Sequence, residues 1–157
     1  SGNISLYLRV ISSIEEKFFG KQLNYFINLP ITTYDNLSKI SYFMDQHSEI
    51  SKTSLDGSVI WLILNSPSIM DASYESSRNS PFAIFSRIMV KHGLKLSSLQ
   101  NWKFGNTPHR LTPLGYLLLH GYSEYFKELV SLGADLNQPF STFERTVTIQ
   151  ALLDIYK

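Results

Sequence analysis

Leu111–Thr112–Pro113–Leu114, running on to Gly121, and then Gly133–Ala134–Asp135–Leu136–Asn137 decide how this chain is read. Thr-Pro-Leu opens a short apolar segment, and Gly121 breaks it. A second apolar segment, Tyr125 to Leu132, ends at Gly-Ala-Asp-Leu-Asn. The order predicts a helix, a tight turn, a second helix and an exposed turn, because glycine supplies the left-handed backbone that closes a helix.

Moving outward, weaker copies of this order appear on both sides. Upstream, Ser80–Pro81 suits a helix start, with Ser80 as N-cap and Pro81 at the first helical position, where its missing N–H goes unused. Phe82, Phe85, Ile88 and Met89 form the buried stripe of that helix, and His92–Gly93–Leu94 ends it. Val59 to Leu64 could be a strand by periodicity alone. A count at a period of about 33 residues places it opposite Leu114–Leu118 and favours a helix, with Trp61 and Ile63 in the core. Ser66–Asn79 is polar and reads as an insertion between two helices. Farther back, Leu37, Ile40, Phe43 and Met44 make an apolar stripe behind a cap at Asp35 or Asn36. His47–Ser48–Glu49–Ile50–Ser51 follows in the place of Gly133–Asn137. Ile4 to Phe19 has helical spacing with a broad apolar face. Gly93 and Gly133 are 40 residues apart, an excess of about 7 over the period. That excess falls in Gln100–Asn106, read as an extended turn. After Asn137, Ile149, Leu152, Leu153 and Tyr156 predict one further helix within Thr146–Tyr156.

Through Thr112–Pro113–Leu114 and Gly133–Ala134–Asp135–Leu136–Asn137 the chain resembles the ankyrin-repeat family. The likeness is strongest over Thr112–Asn137. It implies an all-α ankyrin-type repeat solenoid of about three to four helix pairs, with degenerate repeats and insertions. The expected division is a degenerate repeat at 1–51, a repeat at 52–98 with the insertion 66–79, the clearest repeat at 99–138 with the extended turn 100–106, and a partial repeat at 139–157. Gly115 and the pair Leu117–Leu118 depart from the family pattern, which has His and two Ala there. The expected effects are a lost hydrogen bond between turns and a wider helix spacing. A composition rich in Ser, Asn, Ile, Lys, Phe and Tyr is also similar to that of ankyrin modules in effectors of intracellular bacteria; the expected location is cytoplasmic, and the host cytosol if the protein is such an effector.

Composition narrows the function. A formal net charge of +1 lacks the electrostatic footprint of a nucleic-acid binder, although a local basic patch remains open. With no cysteine, disulfides, thiolate metal sites and cysteine nucleophiles are excluded. The longest apolar run, Val59–Leu64, is far shorter than the ~20 residues of a membrane span, and no signal peptide is visible. The opening Ser-Gly, without Met, suggests an expression-derived start or an excised domain. No phosphate-cradling glycine loop or nucleophile elbow is present, and His47, His92, His109 and His120 have no partner at metal-ligand spacing. The expectation is therefore no catalytic residue, no metal, no cofactor and no enzymatic activity.

What remains is recognition of another protein through turns and the concave helix face. The candidate partner-binding residues are Trp102, Lys103 and Phe104 in the extended turn, His109 and Arg110 at the tip of the next, and Leu119 and His120 at the end of the inner helix. Large aromatics on loops are enriched in binding hot spots. The alternative for Trp102 and Phe104 is that the loop folds back and buries them. For His109 and Arg110 it is plain solvent exposure, and for Leu119 core. Trp61, in an apolar run, reads as core. The alternative function is a substrate-positioning domain whose catalytic part belongs to a larger parent chain. Other domains of that chain then join the expected partners, with neither nucleic acid nor membrane insertion among them.

Overall fold

The computed structural model describes residues 57–67, 69–71, 80–142 and 145–155, together with 6, 9, 10, 14, 17, 18, 21 and 42–46. The expected cap at Asp35 or Asn36, the His47–Ser51 turn and Tyr156 lie outside these residues. In chain order the elements are α1 (Gly57–Leu64), α2 (Pro81–Lys91), β1 (Gln100–Phe104), β2 (Thr107–Leu111), α3 (Pro113–Leu119), α4 (Ser123–Ser131), β3 (Phe140–Thr142), β4 (Arg145–Val147) and α5 (Ile149–Ile155). Residues 42–46 are also helical.

The helix starts follow from local chemistry. Ser80 Oγ accepts from Ala83 N at 3.1 Å, with Pro81 at the first helical position, as its sequence predicts. Thr112 caps α3 in the same way, accepting from Gly115 N at 3.1 Å, and Thr148 Oγ1 accepts from Ala151 N at 3.0 Å in α5. The helix ends are equally regular. Gly93, Gly121 and Gly133 have φ of 100°, 76° and 101°. Each is followed by an N–H reaching five residues back: Leu94 to Met89 O, Tyr122 to Leu117 O and Ala134 to Leu129 O. This double-bonded glycine cap satisfies carbonyls that the helix itself leaves open.

α1 packs on α3, and α2 on α4. Trp61, Ile60 and Ile63 of α1 are buried with Phe82, Phe85 and Met89 of α2 and Leu114, Leu117, Tyr125 and Leu129 of the second pair. Trp61 is core, as its apolar run predicts. A bidentate pair, Arg87 Nε to Glu128 Oε1 at 2.7 Å and Arg87 Nη2 to Glu128 Oε2 at 3.1 Å, clips α2 to α4 at the surface. Glu124 and Lys127 also pair, at 3.1 Å, as their i, i+3 spacing suggests.

The all-α expectation is overturned. The chain contains a four-stranded antiparallel sheet in the order β1-β2-β3-β4, so the architecture mixes helices and strands. Gln100–Asn106 is not a turn expansion. Gln100–Phe104 is a strand, and Gly105–Asn106 is a two-residue hairpin turn with Gly105 at φ 61°. Glycine there enters the left-handed region at no steric cost, so the turn twists with its strands. Likewise Arg145–Val147 is a strand, and the last helix begins only at Ile149. Strand alternation is visible in β2, where His109 and Leu111 are buried while Pro108 and Arg110 are exposed. Proline is tolerated at position 108 because β3, which meets β2 at Arg110↔Ser141, ends at Thr142.

Gly115 and the Leu117–Leu118 pair each have a definite place on α3. A Cβ at Gly115 would stand 3.0 Å from Phe140 Cδ2, so this glycine lets the ring of the second hairpin approach α3 closely. Leu118 is 43% exposed, whereas Leu117 is fully buried in the core. Gly115→Val should therefore lower unfolding free energy by about 1–3 kcal/mol. In a Phe140→Ala background the same change should cost less, a non-additivity measurable by denaturant titration. Equal costs in both backgrounds would refute the contact.

Candidate partner-binding surface

The seven predicted residues do not form one exposed loop surface. Trp102, Lys103 and Phe104 belong to β1, and His109 and Arg110 to β2. The register pairs Trp102 with His109, Lys103 with Pro108 and Asn101 with Arg110. Alternation then divides them. Lys103 and Arg110 are exposed on the outer face, whereas Trp102 is half-buried and His109 buried on the inner one. The Phe104 side chain lies outside the described residues. Pro108–His109–Arg110 is thus a strand and not a turn tip. His109 is 3% exposed. Its Nδ1 lies 2.7 Å from Thr142 Oγ1, which ties β2 to β3.

The inner face rests on α3 through aromatic rings. Trp102 meets Tyr116 edge-on, with centroids 5.1 Å apart, and His120 at 5.7 Å. His120 stacks on Tyr116 at 4.0 Å, and its Nδ1 lies 2.9 Å from Tyr116 O. A carbonyl only accepts, so Nδ1 carries the proton in this contact. Trp61 approaches the same tyrosine at 5.5 Å and donates its indole N–H to Ser98 O at 3.2 Å. Leu119 is half-buried and packs against the core. Trp102, His120 and Leu119 are therefore supports more than free recognition groups, and the reading of Trp102 as an exposed loop residue is corrected.

What faces outward is polar and basic. Asn101, Lys103 and Arg110 are exposed on the hairpin, and Arg145 is exposed on β4. A cleft of about 410 Å³ runs along the hairpin, lined by Asn101, Trp102, Lys103, Pro108 and His109. Two sequence signals mark this surface. The Gly105–Asn106 pair between alternating segments is a hairpin signature. Residues 76–123 hold six of the 14 Lys and Arg and none of the 13 Asp and Glu, a charge segregation that the net value of +1 conceals. Tyr116, which no local sequence signal singles out, is the residue on which both tryptophans converge. Among the described residues, no group of three His, Asp or Glu side chains is placed to hold a metal ion.

Burial, and secondarily the neighbouring Tyr122, pushes the Tyr116 phenol above the ordinary tyrosine range. The folded protein thus holds this proton more tightly than the unfolded chain does. Its contribution is fully present below about pH 10 and is lost as pH rises through the folded value. Melting temperature should fall above about pH 10, and less steeply in Tyr116→Phe; identical slopes would contradict this. Trp102→Ala should cost about 2 kcal/mol of stability in denaturant titration, as expected of a packed aromatic. A cost near zero would return Trp102 to a purely surface role.

No protein-family model matches the chain, and neither curated proteins nor solved structures show a match to it.

Proposed function

We propose that this chain is a protein-interaction module that engages its partner through the outer face of the β1–β2 hairpin. The supporting observation is the division of that hairpin into two faces. The inner one is committed to Tyr116 and His120, while the outer one presents Asn101, Lys103 and Arg110 beside a cleft. A rigid strand with its aromatic side anchored holds the opposite side in a defined geometry, which lowers the ordering cost of binding. The resemblance of Thr112–Asn137 to the ankyrin-repeat family, whose members typically bind proteins, is in keeping with such a role. Among the described residues no helix is long and apolar enough to cross a membrane, and the proposed partner is a protein.

The test is affinity capture with the full chain and with the double variant Lys103→Glu/Arg110→Glu. A protein retained by the native chain should be lost by at least about tenfold with the variant, while both chains keep the same melting temperature. Equal retention by both would overturn the hairpin's role.

A further inference from the structure

Resting on the protein-interaction reading, we infer that the open edge of β1 accepts an extended acidic segment of a partner as a fifth strand. Among the described residues β1 has one strand neighbour, β2, so its other side carries the unpaired edge of the sheet. The direction of its backbone groups follows from the hairpin. A two-residue turn closes on a hydrogen-bonded rung, here Phe104↔Thr107, and antiparallel rungs alternate from there. Trp102↔His109 and Gln100↔Leu111 are then the next bonded rungs. Asn101 and Lys103 direct their N–H and C=O groups away from β2, towards the edge. Pro108, which has no N–H, stands across from Lys103 on a rung where none is needed.

The same two residues fix the chemistry of the incoming strand. Their side chains are exposed on the outer face, and Arg110 lies beside Asn101 on that face. A residue of the added strand directly opposite Lys103 or Asn101 projects to the same side, within about 5 Å. Alternate residues fall on the side of Trp102, which is half-buried and borders the cleft. The pattern that fits is carboxylate, apolar, carboxylate. Lys95, Lys103 and Arg110 belong to the stretch without carboxylates, and the described residues of the sheet include none; Glu144, between β3 and β4, lies outside the described residues. A second copy pairing through the same edge would set lysine against a like-charged face, which opposes it. A nucleic acid would leave the edge amides and carbonyls unmatched and would find few cations on this sheet.

The probe is a synthetic peptide of about seven residues alternating Val and Glu, with a Val/Lys peptide of equal length as its counterpart. With the full chain, the Val/Glu peptide should shift and protect the Asn101 and Lys103 amides in NMR spectra, and the Val/Lys peptide should not. Affinity should fall with added salt. Lys103→Pro removes one edge donor without breaking a bond to β2, and should weaken binding at least about tenfold while the α2–α4 amides keep their shifts. Lys103→Glu keeps the N–H and the fold should Lys103→Pro unfold the chain, and it should exchange preference towards the Val/Lys peptide. Absence of Val/Glu binding, equal binding of both peptides, binding that leaves the Asn101 and Lys103 amides unchanged, or self-association through β1 would each overturn the inference. A captured partner lost with Lys103→Glu/Arg110→Glu but kept with Lys103→Pro would overturn it and leave the outer-face reading standing.

Discussion

The ring of Tyr116 is the contact on which the rest of the structure depends. It is 7% exposed and receives Trp61 from α1, Trp102 from β1 and His120 from the end of its own helix. Edge-to-face pairs of this kind are worth about 0.5–1.5 kcal/mol beyond the area they bury. Their larger effect is geometric. A two-stranded hairpin is marginally stable by itself, and here its inner face is fixed to a helix. From His120 the ring series continues through Tyr122 and Tyr125 to Phe82. Tyr125 donates its hydroxyl to Asp71 O at 2.9 Å, so the aromatic series reaches the segment that follows α1.

The helices are held in register by a second, more local device. Three glycine caps with the same bonding pattern end α2, α3 and α4, and hydroxyl caps begin α2, α3 and α5. Short helices of 7 to 11 residues are marginal alone. Their stability comes from satisfied ends and from stacking. The turn after α4 is ordered in the same way. Asp135 Oδ1 accepts from Asn137 N at 2.8 Å, and Leu136 O accepts from Gln150 N at 3.0 Å, which joins α5 to the preceding pair. Gln138 also donates to Ser97 O and links this turn to the segment before β1.

Local signals were legible where one residue type does one job. Gly93, Gly121 and Gly133 mark helix ends, Ser80–Pro81 marks a start, and Phe82, Phe85 and Met89 mark a buried stripe. A register count reads Gln100–Asn106 as surplus loop, although Gly105–Asn106 between alternating segments carries a hairpin signal. β3 and β4 are only three residues each. So short an alternation is indistinguishable from loop until a neighbour pairs with it. The candidate site suffered in the same way. Lys103 and Arg110 do face outward, but Trp102 and His109 took the opposite face as soon as the segment became a strand.

The sequence by itself determined the glycine-marked helix ends, the core positions of α1 and α2, and the segregation of basic charge into residues 76–123. Each of these follows from backbone freedom, hydrophobic spacing or composition, which are properties of neighbouring residues. Tertiary structure alone decided that Tyr116 would receive two tryptophans from separate elements, that Gly115 would take the ring of Phe140, and that Trp102 would turn inward while Lys103 turned out. Those outcomes depend on contacts across as many as 55 residues of chain, Trp61 to Tyr116, and no local pattern encodes which partner arrives.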